Sequence, residues 1–343
     1  LLSPMILRAE EGETPPFERT EADDVAAAAR APSSDDARTA AAGVPPIIDI
    51  WYGTSQVFGH RGNPQRWINI PGKATDGNGV ASLKYALNGG PQKKLSIGPD
   101  GRRLVARGDF NIDIDRTRLD AGRNTIVITA RDKEGNISTE TVTLEYQPGN
   151  VWPKRYSIDW SEVDEIQDVA QVVDGLWRIT SKGLRTQVAG YDRLVAIGDV
   201  AWTDYEVQVP VTVHSVQPSG SPGVGILMRW KGHSNDPVSV WQPRSGWWPL
   251  GAIGWYRWKD TGNRFLQIYG NYGRKVASTG ARLRLGTRYY FKMRVESREG
   301  KGSYYRLKVW EAHKPEPSSW TLKGQETLND PQRGSLLLLC LLY

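Results

Sequence analysis

The chain has 343 residues, of which 39% are apolar and 24% charged, a length and balance that predict two or three domains with packed cores. The net charge is +6, but no more than two basic residues stand side by side, which argues against a nucleic-acid partner. The only cysteine, Cys340, excludes an internal disulfide, and no apolar run reaches the roughly 18 residues of a membrane-spanning helix. We therefore expect no membrane insertion.

Residues 1–44 form a predicted disordered leader or linker. They are rich in Ala, Glu, Asp, Arg, Ser and Pro and contain almost no aromatic residues, so they cannot bury enough apolar surface to offset chain entropy. The chain opens on Leu1 rather than Met, and we expect its export signal to be missing from this sequence. The low cysteine usage fits an exported bacterial protein, so the predicted location is extracellular or on the cell surface.

Residues 45–147 contain short segments that alternate between apolar and polar side chains. The predicted strands are 47–52, 66–70, 81–87, 110–114, 124–130 and 139–146. Asn88-Gly89-Gly90 supplies the positive φ angles that a tight hairpin turn needs. About seven short strands in about 100 residues are typical of an immunoglobulin-type β-sandwich.

Two motifs in this stretch resemble those of bacterial Ig-like and cadherin-like modules. One is Thr-Ala-Arg-Asp-Lys-Glu-Gly-Asn at 129–136, before a Thr-rich strand, and the other is the hairpin pattern of 76–89. The resemblance implies a spacer on a surface protein or an appendage to a carbohydrate-active enzyme. Some related modules bind Ca²⁺ through aspartates, which makes Asp76, Asp115 and Asp132 the candidate metal ligands, although loop aspartates are also ordinary turn formers. No other cofactor is expected.

Residues 151–343 follow a Gln-Pro-Gly-Asn linker and are again rich in β-type patterns. The predicted strands are 204–213, 223–230, 252–258, 264–270, 289–296 and 304–310. Segment 223–230 is apolar on both faces, as a central strand would be. No segment has a helical period apart from a predicted turn at 161–167. The pattern predicts two antiparallel sheets in a jelly roll or sandwich, so the whole chain is expected to be all-β.

Several motifs of this second stretch resemble the concanavalin A-like lectin/glucanase superfamily, in the branch with laminin-G-like and 3-keto-disaccharide-hydrolase-like domains. They are Val-Asp-Gly-Leu-Trp at 173–177, Trp-Thr-Asp-Tyr-Glu at 202–206, the Gly-rich strand 223–230, and the late strand pair at 290–295 and 305–310. The resemblance implies a jelly roll that holds its ligand on the concave sheet and the loops around it. It leaves function open, because this fold hosts lectins, hydrolases, lyases and adhesion domains.

The end of the chain departs from the pattern of that superfamily. Segment 334–339 looks like the start of the last strand, and only four residues follow it. We therefore expect a truncated or altered end that leaves an open sheet edge.

The candidate ligand-binding residues come from an excess of tryptophan, since 12 of the 14 lie between Trp152 and Trp320 while phenylalanine occurs only five times. Flat indole rings suit half-apolar partners such as the faces of pyranose rings, and Arg or Gln side chains can hydrogen-bond hydroxyl groups. Side chains alternate between the two faces of a strand, which places Gln267 and Tyr269 on the face away from the core. The same alternation places Arg229 on the opposite face from Met228 and Trp230. It places Arg257 on the same face as Trp255 and Ile253. The predicted ligand-binding residues are Arg229, Trp241, Trp247, Trp248, Trp255, Arg257, Gln267 and Tyr269. Trp247 and Trp248 alternatively form a small core beneath their loop.

Catalysis would need a pair of carboxylates, and Glu206 and Glu296 have outward parity on predicted strands. Exposed glutamates on strands are also commonly just solvated. The four histidines are scattered without metal-ligand spacing, which argues against a zinc site. The favoured interpretation is a non-catalytic carbohydrate-binding or adhesion protein whose partner is a polysaccharide or glycan. A glycoside hydrolase or related carbohydrate-active enzyme and a structural surface spacer are the alternatives, and the oligomeric state stays open.

Overall fold

The computed structural model describes residues 4–8, 43–216, 222–234, 242–259, 261–327 and 330–341. In these ranges the protein is all-β, which confirms the predicted class: 23 strands form five sheets, and the only helices are four single 3-10 turns. These turns are Arg116–Arg118, Trp160–Glu162, Ile166–Asp168 and Asn271–Gly273. Two of them fall within or beside the turn predicted at 161–167.

The strand bounds follow the sequence patterns closely. The strands up to residue 146 are β1 (Pro4–Arg8), β2 (Ile47–Ile50), β3 (Ser55–Phe58), β4 (Trp67–Thr75), β5 (Val80–Leu87), β6 (Lys93–Leu95), β7 (Asp109–Asp115), β8 (Gly122–Asp132) and β9 (Ile137–Tyr146). The later strands are β10 (Ser157–Asp159), β11 (Gln171–Asp174), β12 (Trp177–Thr180), β13 (Gly183–Thr186), β14 (Arg193–Ile197), β15 (Tyr205–Thr212), β16 (Gly223–Trp230), β17 (Ala252–Trp258), β18 (Arg264–Gly270), β19 (Lys275–Gly280), β20 (Arg288–Arg298), β21 (Gly302–Glu311), β22 (Leu322–Glu326) and β23 (Ser335–Leu341).

The first hydrophobic core lies among strands β2 to β9. A three-stranded sheet in the order β2-β4-β7 accompanies a five-stranded sheet in the order β3-β9-β8-β5-β6. On β7, Phe110, Ile112 and Ile114 enter this core, while the alternate residues Asn111 and Asp113 point to the other side of the sheet. The strand predicted at 110–114 is therefore present, and its successive side chains point to opposite faces.

The second hydrophobic core lies between two larger sheets. The six-stranded sheet has the order β10-β1-β15-β20-β21-β22, and the seven-stranded sheet has the order β11-β14-β23-β16-β17-β18-β19. Val207 and Val295 enter the core from the first sheet, and Ile226 and Ile268 enter it from the second. We call the face of each sheet that points away from this core its outer face. The outer face of the seven-stranded sheet carries a further apolar cluster of its own.

The last strand does not leave the open edge that the sequence predicts. Strand β23 lies inside the seven-stranded sheet and pairs with β14 on one side and β16 on the other. This strand has seven residues, Ser335–Leu341. The predicted leader also contributes strand β1, which pairs in parallel with β10 and β15. The domain bounds 45–147 and 151–343 stay a prediction.

The predicted faces of the side chains are correct on β17 and β18 and wrong at the end of β16. Leu266 and Ile268 lie in the core between the sheets, and Trp255 and Tyr269 lie on the outer face. On β16, however, Met228 and Trp230 belong to different clusters, because the pairing register shifts between them. Arg229 between them has φ +57°, which rotates the chain out of the regular strand pattern.

Candidate functional site

A line of aromatic side chains crosses the outer face of the seven-stranded sheet. Trp255 and Tyr269 have ring centroids 5.7 Å apart, and Trp248 and Tyr272 have centroids 6.0 Å apart. The Tyr269 hydroxyl lies close to Gly273, next to Tyr272, so the two pairs are neighbours. The guanidinium of Arg257 stacks 4.2 Å from the Trp255 ring centroid. We call Trp248, Trp255, Arg257, Tyr269 and Tyr272 the aromatic strip.

Two glycines on the neighbouring strand make room for the Trp255 end of this strip. A Cβ atom on Gly225 would lie 2.6 Å from the Trp255 Cα and Cβ atoms, and one on Gly223 would lie 3.1 Å from Trp255 Cε3 and from Arg257 Cγ. The indole and the arginine therefore fold flat over β16. Trp255 Nε1 donates a hydrogen bond to Gln267 Oε1, and Trp255 is only 3% exposed. Gln267 thus orients the indole.

The other end of the strip is more open and is held by buried polar groups. Tyr272 is 53% exposed and has φ +49°, a left-handed conformation that is uncommon for a residue other than glycine. Buried Asn271 accepts a hydrogen bond from the Leu250 backbone N–H, two residues after Trp248. Buried Glu326 accepts a hydrogen bond from the Asn271 N–H and one from Arg274. These contacts fix both aromatic residues relative to each other.

The remaining predicted aromatic ligands are placed differently. Trp247 is half-buried and packs against Trp230, with centroids 6.4 Å apart, and against His233, with centroids 5.7 Å apart. This arrangement matches the alternative in which the loop covers a small core. Trp248 points instead to exposed Tyr272. Trp241 lies outside the described residues.

Arg229 lies in a buried polar network rather than beside the strip. Its side chain has no exposed surface and ion-pairs with Asp204 at 2.8 Å and with Asp330 at 3.8 Å. It also donates to Ser297 Oγ and to the Thr203 carbonyl. The predicted ligand-binding arginine therefore ties loops together in this conformation.

Glu206 and Glu296, the candidate acid and base, lie on the outer face of the six-stranded sheet. Arg294 stands between them, with 3.9 Å to Glu206 Oε2 and 2.9 Å to Glu296 Oε1. Lys292 and Arg306 complete the ion pairs. The two carboxylates and the aromatic strip thus lie on opposite outer faces of the sandwich, so one bound sugar cannot contact both.

Of the three candidate calcium ligands, Asp76 lies in a loop, and Asp115 and Asp132 are the last residues of β7 and β8. Each accepts hydrogen bonds from backbone N–H groups of the residues that follow it. Asp76 Oδ1 accepts from the N–H groups of Asn78 and Gly79, and a cavity of about 300 Å³ beside it is also lined by the cations Arg107 and Lys133. Asp115 pairs with Arg66 and accepts from the Thr117 N–H, and Asp132 accepts from the Asn136 N–H. Burial raises the pKa of Asp132, but the hydrogen bonds from Asn136 outweigh it and the pKa lies below its ordinary value.

A second polar site lies where the two cores meet and was not predicted. Arg103 is fully buried and ion-pairs with Asp113 at 2.8 Å and with Asp174 at 2.5 Å. Asn111 donates to the same Asp174 carboxylate, and His233 Nε2 lies 3.1 Å from its second oxygen. Burial alone would lower the pKa of Arg103, but the charges of Asp113 and Asp174 outweigh it and raise the pKa. Residues from both sides thus share one buried network.

Asp192 lies beside this network and is 1% exposed. Burial raises the pKa of its carboxyl well above the ordinary value, and the charge of Asp174 adds to the shift. The sequence shows the charged and polar residues of this network, but they come from segments that are far apart in the chain. Tyr272 was also missed, because nothing in its local sequence signals that a tyrosine takes a left-handed conformation at an exposed turn.

Comparisons with known proteins give weak likeness only. No protein-family model matches the sequence, and no curated protein is significantly similar to it. An endo-β-1,4-mannanase from Thermotoga petrophila has a TM-score of 0.24 at 10% identity, covering 32% of this chain and 20% of its own. Dimeric latent PorU from Porphyromonas gingivalis has a TM-score of 0.23 at 11% identity, covering 80% of this chain and 20% of its own.

A third solved structure is SGBP-B of the Bacteroides ovatus mixed-linkage glucan utilization locus, in complex with a mixed-linkage heptasaccharide. It has a TM-score of 0.21 at 11% identity, covering 69% of this chain and 70% of its own. The chain spans about a fifth of the length of the first two proteins. Similarity at this level carries no argument about function. Within the described residues, no helix has the length and apolar character needed to cross a membrane.

Proposed function

We propose that the protein binds a polysaccharide on the aromatic strip, outside the cell or on its surface, without cleaving it. The observation that carries the proposal is the open end of the strip, where Trp248 and exposed Tyr272 lie side by side and buried polar groups hold their loops. Rigid aromatic rings contribute large contact area at low entropic cost, and their half-apolar faces suit the C–H faces of pyranose rings.

The covered end of the strip supports this site rather than forming it. Trp255 is buried beneath Arg257 and is held by Gln267, so these three residues make a firm base on β17 and β18. Tyr269 connects this base to half-buried Trp248 and exposed Tyr272. In this proposal Tyr272 and Trp248 stack on the sugar, and Arg257 and Tyr269 contact its hydroxyl groups at the margin.

The test is a glycan array with the full chain, followed by titration of the best ligand. Trp248→Ala and Tyr272→Ala should each weaken binding by about 1–3 kcal/mol, the range for removing an aromatic anchor. Tyr290→Ala is the matched control, because Tyr290 also packs against a tryptophan, with centroids 5.4 Å apart, but on the outer face of the other sheet.

Released reducing ends are measured in the same samples. Binding that survives both strip substitutions but is lost in Tyr290→Ala would contradict the proposal and move the site to the six-stranded sheet. Release of sugar that stops in Glu206→Gln would establish the hydrolase alternative, and absence of binding to any glycan would favour the structural spacer.

A further inference from the structure

Two strand ends of the seven-stranded sheet and the segment that follows β16 bring two aspartates and one histidine together. Asp174 ends β11, Asp192 directly precedes β14, and His233 follows the end of β16. One carboxylate oxygen of each aspartate and one ring nitrogen of His233 all lie within 4.8 Å of one another. All three residues are at most 2% exposed. In the described part of the chain, this is the one group of three such ligands.

Asp192 provides an independent sign that something is bound there. Its Oδ1 atom is buried and has no hydrogen-bond partner among the described residues. Arg193 is next in the chain, but its hydrogen bonds go to the carbonyls of Val188, Arg103 and Asp192 and not to this carboxylate. A buried carboxylate oxygen without a partner is costly, and a bound ion is one of the few groups that explain it.

The surroundings of His233 suit a metal ligand. Its Nδ1 lies 3.1 Å from the Gly246 carbonyl, which can only accept, so Nδ1 carries a hydrogen. Its Nε2 lies 3.1 Å from Asp174 Oδ2. Histidines that bind metals through one nitrogen commonly donate the other N–H to a backbone carbonyl. The rings of Trp230 and Trp247 pack edge-on against the imidazole and form an apolar shell.

We propose that Asp174, Asp192 and His233 bind one divalent transition-metal ion of the zinc type. One imidazole and two carboxylates form a donor set that zinc accepts. Zinc–ligand distances of about 2.0–2.2 Å place two ligand atoms of one ion roughly 3.4 Å apart, close to the separation of His233 Nε2 and Asp174 Oδ2. The ion connects three segments of the second core, and Asp174 links it to Arg103 beside the first core.

The proposal is tested on the full chain, stripped with a chelator, dialysed and reloaded with Zn²⁺. We expect one tightly bound zinc per chain by elemental analysis, and an unfolding temperature that rises with Zn²⁺ because the ion binds only the folded state. Asp192→Asn and His233→Gln should each lower the Zn²⁺ affinity at least about 100-fold, measured by competition with a chromophoric chelator.

The control is His313→Gln, which removes an exposed histidine that lies 3.3 Å from Glu311 and should leave the affinity unchanged. The visible spectrum of the Co²⁺-loaded wild-type chain reports the ligand set even where a variant does not fold. Less than one tightly held ion per chain, or equal binding by wild type and Asp192→Asn, would overturn the proposal. Loss of zinc in His313→Gln alone would likewise overturn it and assign the ion to the surface.

Discussion

The outer face of the six-stranded sheet is solvated, whereas most of the outer face of the seven-stranded sheet is covered. On the six-stranded sheet, Glu206, Lys292, Arg294 and Glu296 form a ladder of partly exposed ion pairs. On the seven-stranded sheet the corresponding positions are apolar and buried, with Leu227, Leu337 and Leu339 almost inaccessible. A sheet with one face in water shows strict alternation, whereas a sheet covered on both faces shows continuous apolar runs.

The largest expected effect is on stability, in the buried network beside the covered face. Arg103→Met leaves Asp113 and Asp174 buried without their guanidinium partner, so the free energy of unfolding should fall by about 3–5 kcal/mol. Arg294→Met, which removes the central cation of the exposed ladder, should cost only about 0–1 kcal/mol. Urea unfolding followed by tryptophan fluorescence measures both. Equal losses in the two variants would show that the buried network does not join the cores as described.

The sequence predicted the regular parts of both faces well. The run of 223–230, apolar on both faces, correctly predicted the buried strand β16, whereas burial alternates along most of β15, because side-chain periodicity reports burial directly. The parity of Gln267 and Tyr269 followed from the same argument. These predictions needed no knowledge of contacts distant in the chain.

Features set by distant contacts could not be predicted. Asn111 and Asp113 alternate with core residues on β7 and look solvated in sequence, yet they are 2% exposed because Arg103 and Asp174 cover them. Arg229 breaks its strand because six polar groups from four segments hold its guanidinium and backbone. A local pattern says which face a side chain takes, but not what packs on that face.

An intermediate effect should appear at the exposed end of the aromatic strip, where backbone strain and ring contact can be separated. Tyr272→Gly and Tyr272→Ala both remove the ring, so both should lose glycan affinity alike. Glycine adopts φ +49° without steric cost, so Tyr272→Gly should be about 1 kcal/mol more stable than Tyr272→Ala.

Thermal unfolding of the two Tyr272 variants measures this difference, and Gly280 gives a matched control. Its φ lies outside the left-handed region and a Cβ there meets no atom within 4 Å, so Gly280→Ala should not show the same loss. Equal stability of Tyr272→Gly and Tyr272→Ala would mean that the turn at 271–273 relaxes once the ring is gone.

The smallest effect concerns the ion pairs on the solvated face and their dependence on pH. Burial raises the pKa of Glu316, but hydrogen bonds from Lys308 and Lys292 outweigh it, so the pKa lies below its ordinary value. An acid whose pKa is lower in the folded state adds stability above its unfolded pKa of about 4.3, and this stability disappears as the pH falls through the folded value. Glu316→Gln should therefore cost about 0–1 kcal/mol at pH 7 and less at pH 2. The cost should shrink further at 1 M salt, because the pair is partly exposed.

Urea midpoints of wild type, Glu316→Gln and the control Glu299→Gln at both pH values measure this loss of stability. A difference that persists unchanged at pH 2 would show that Glu316 stabilises the face by packing rather than by charge.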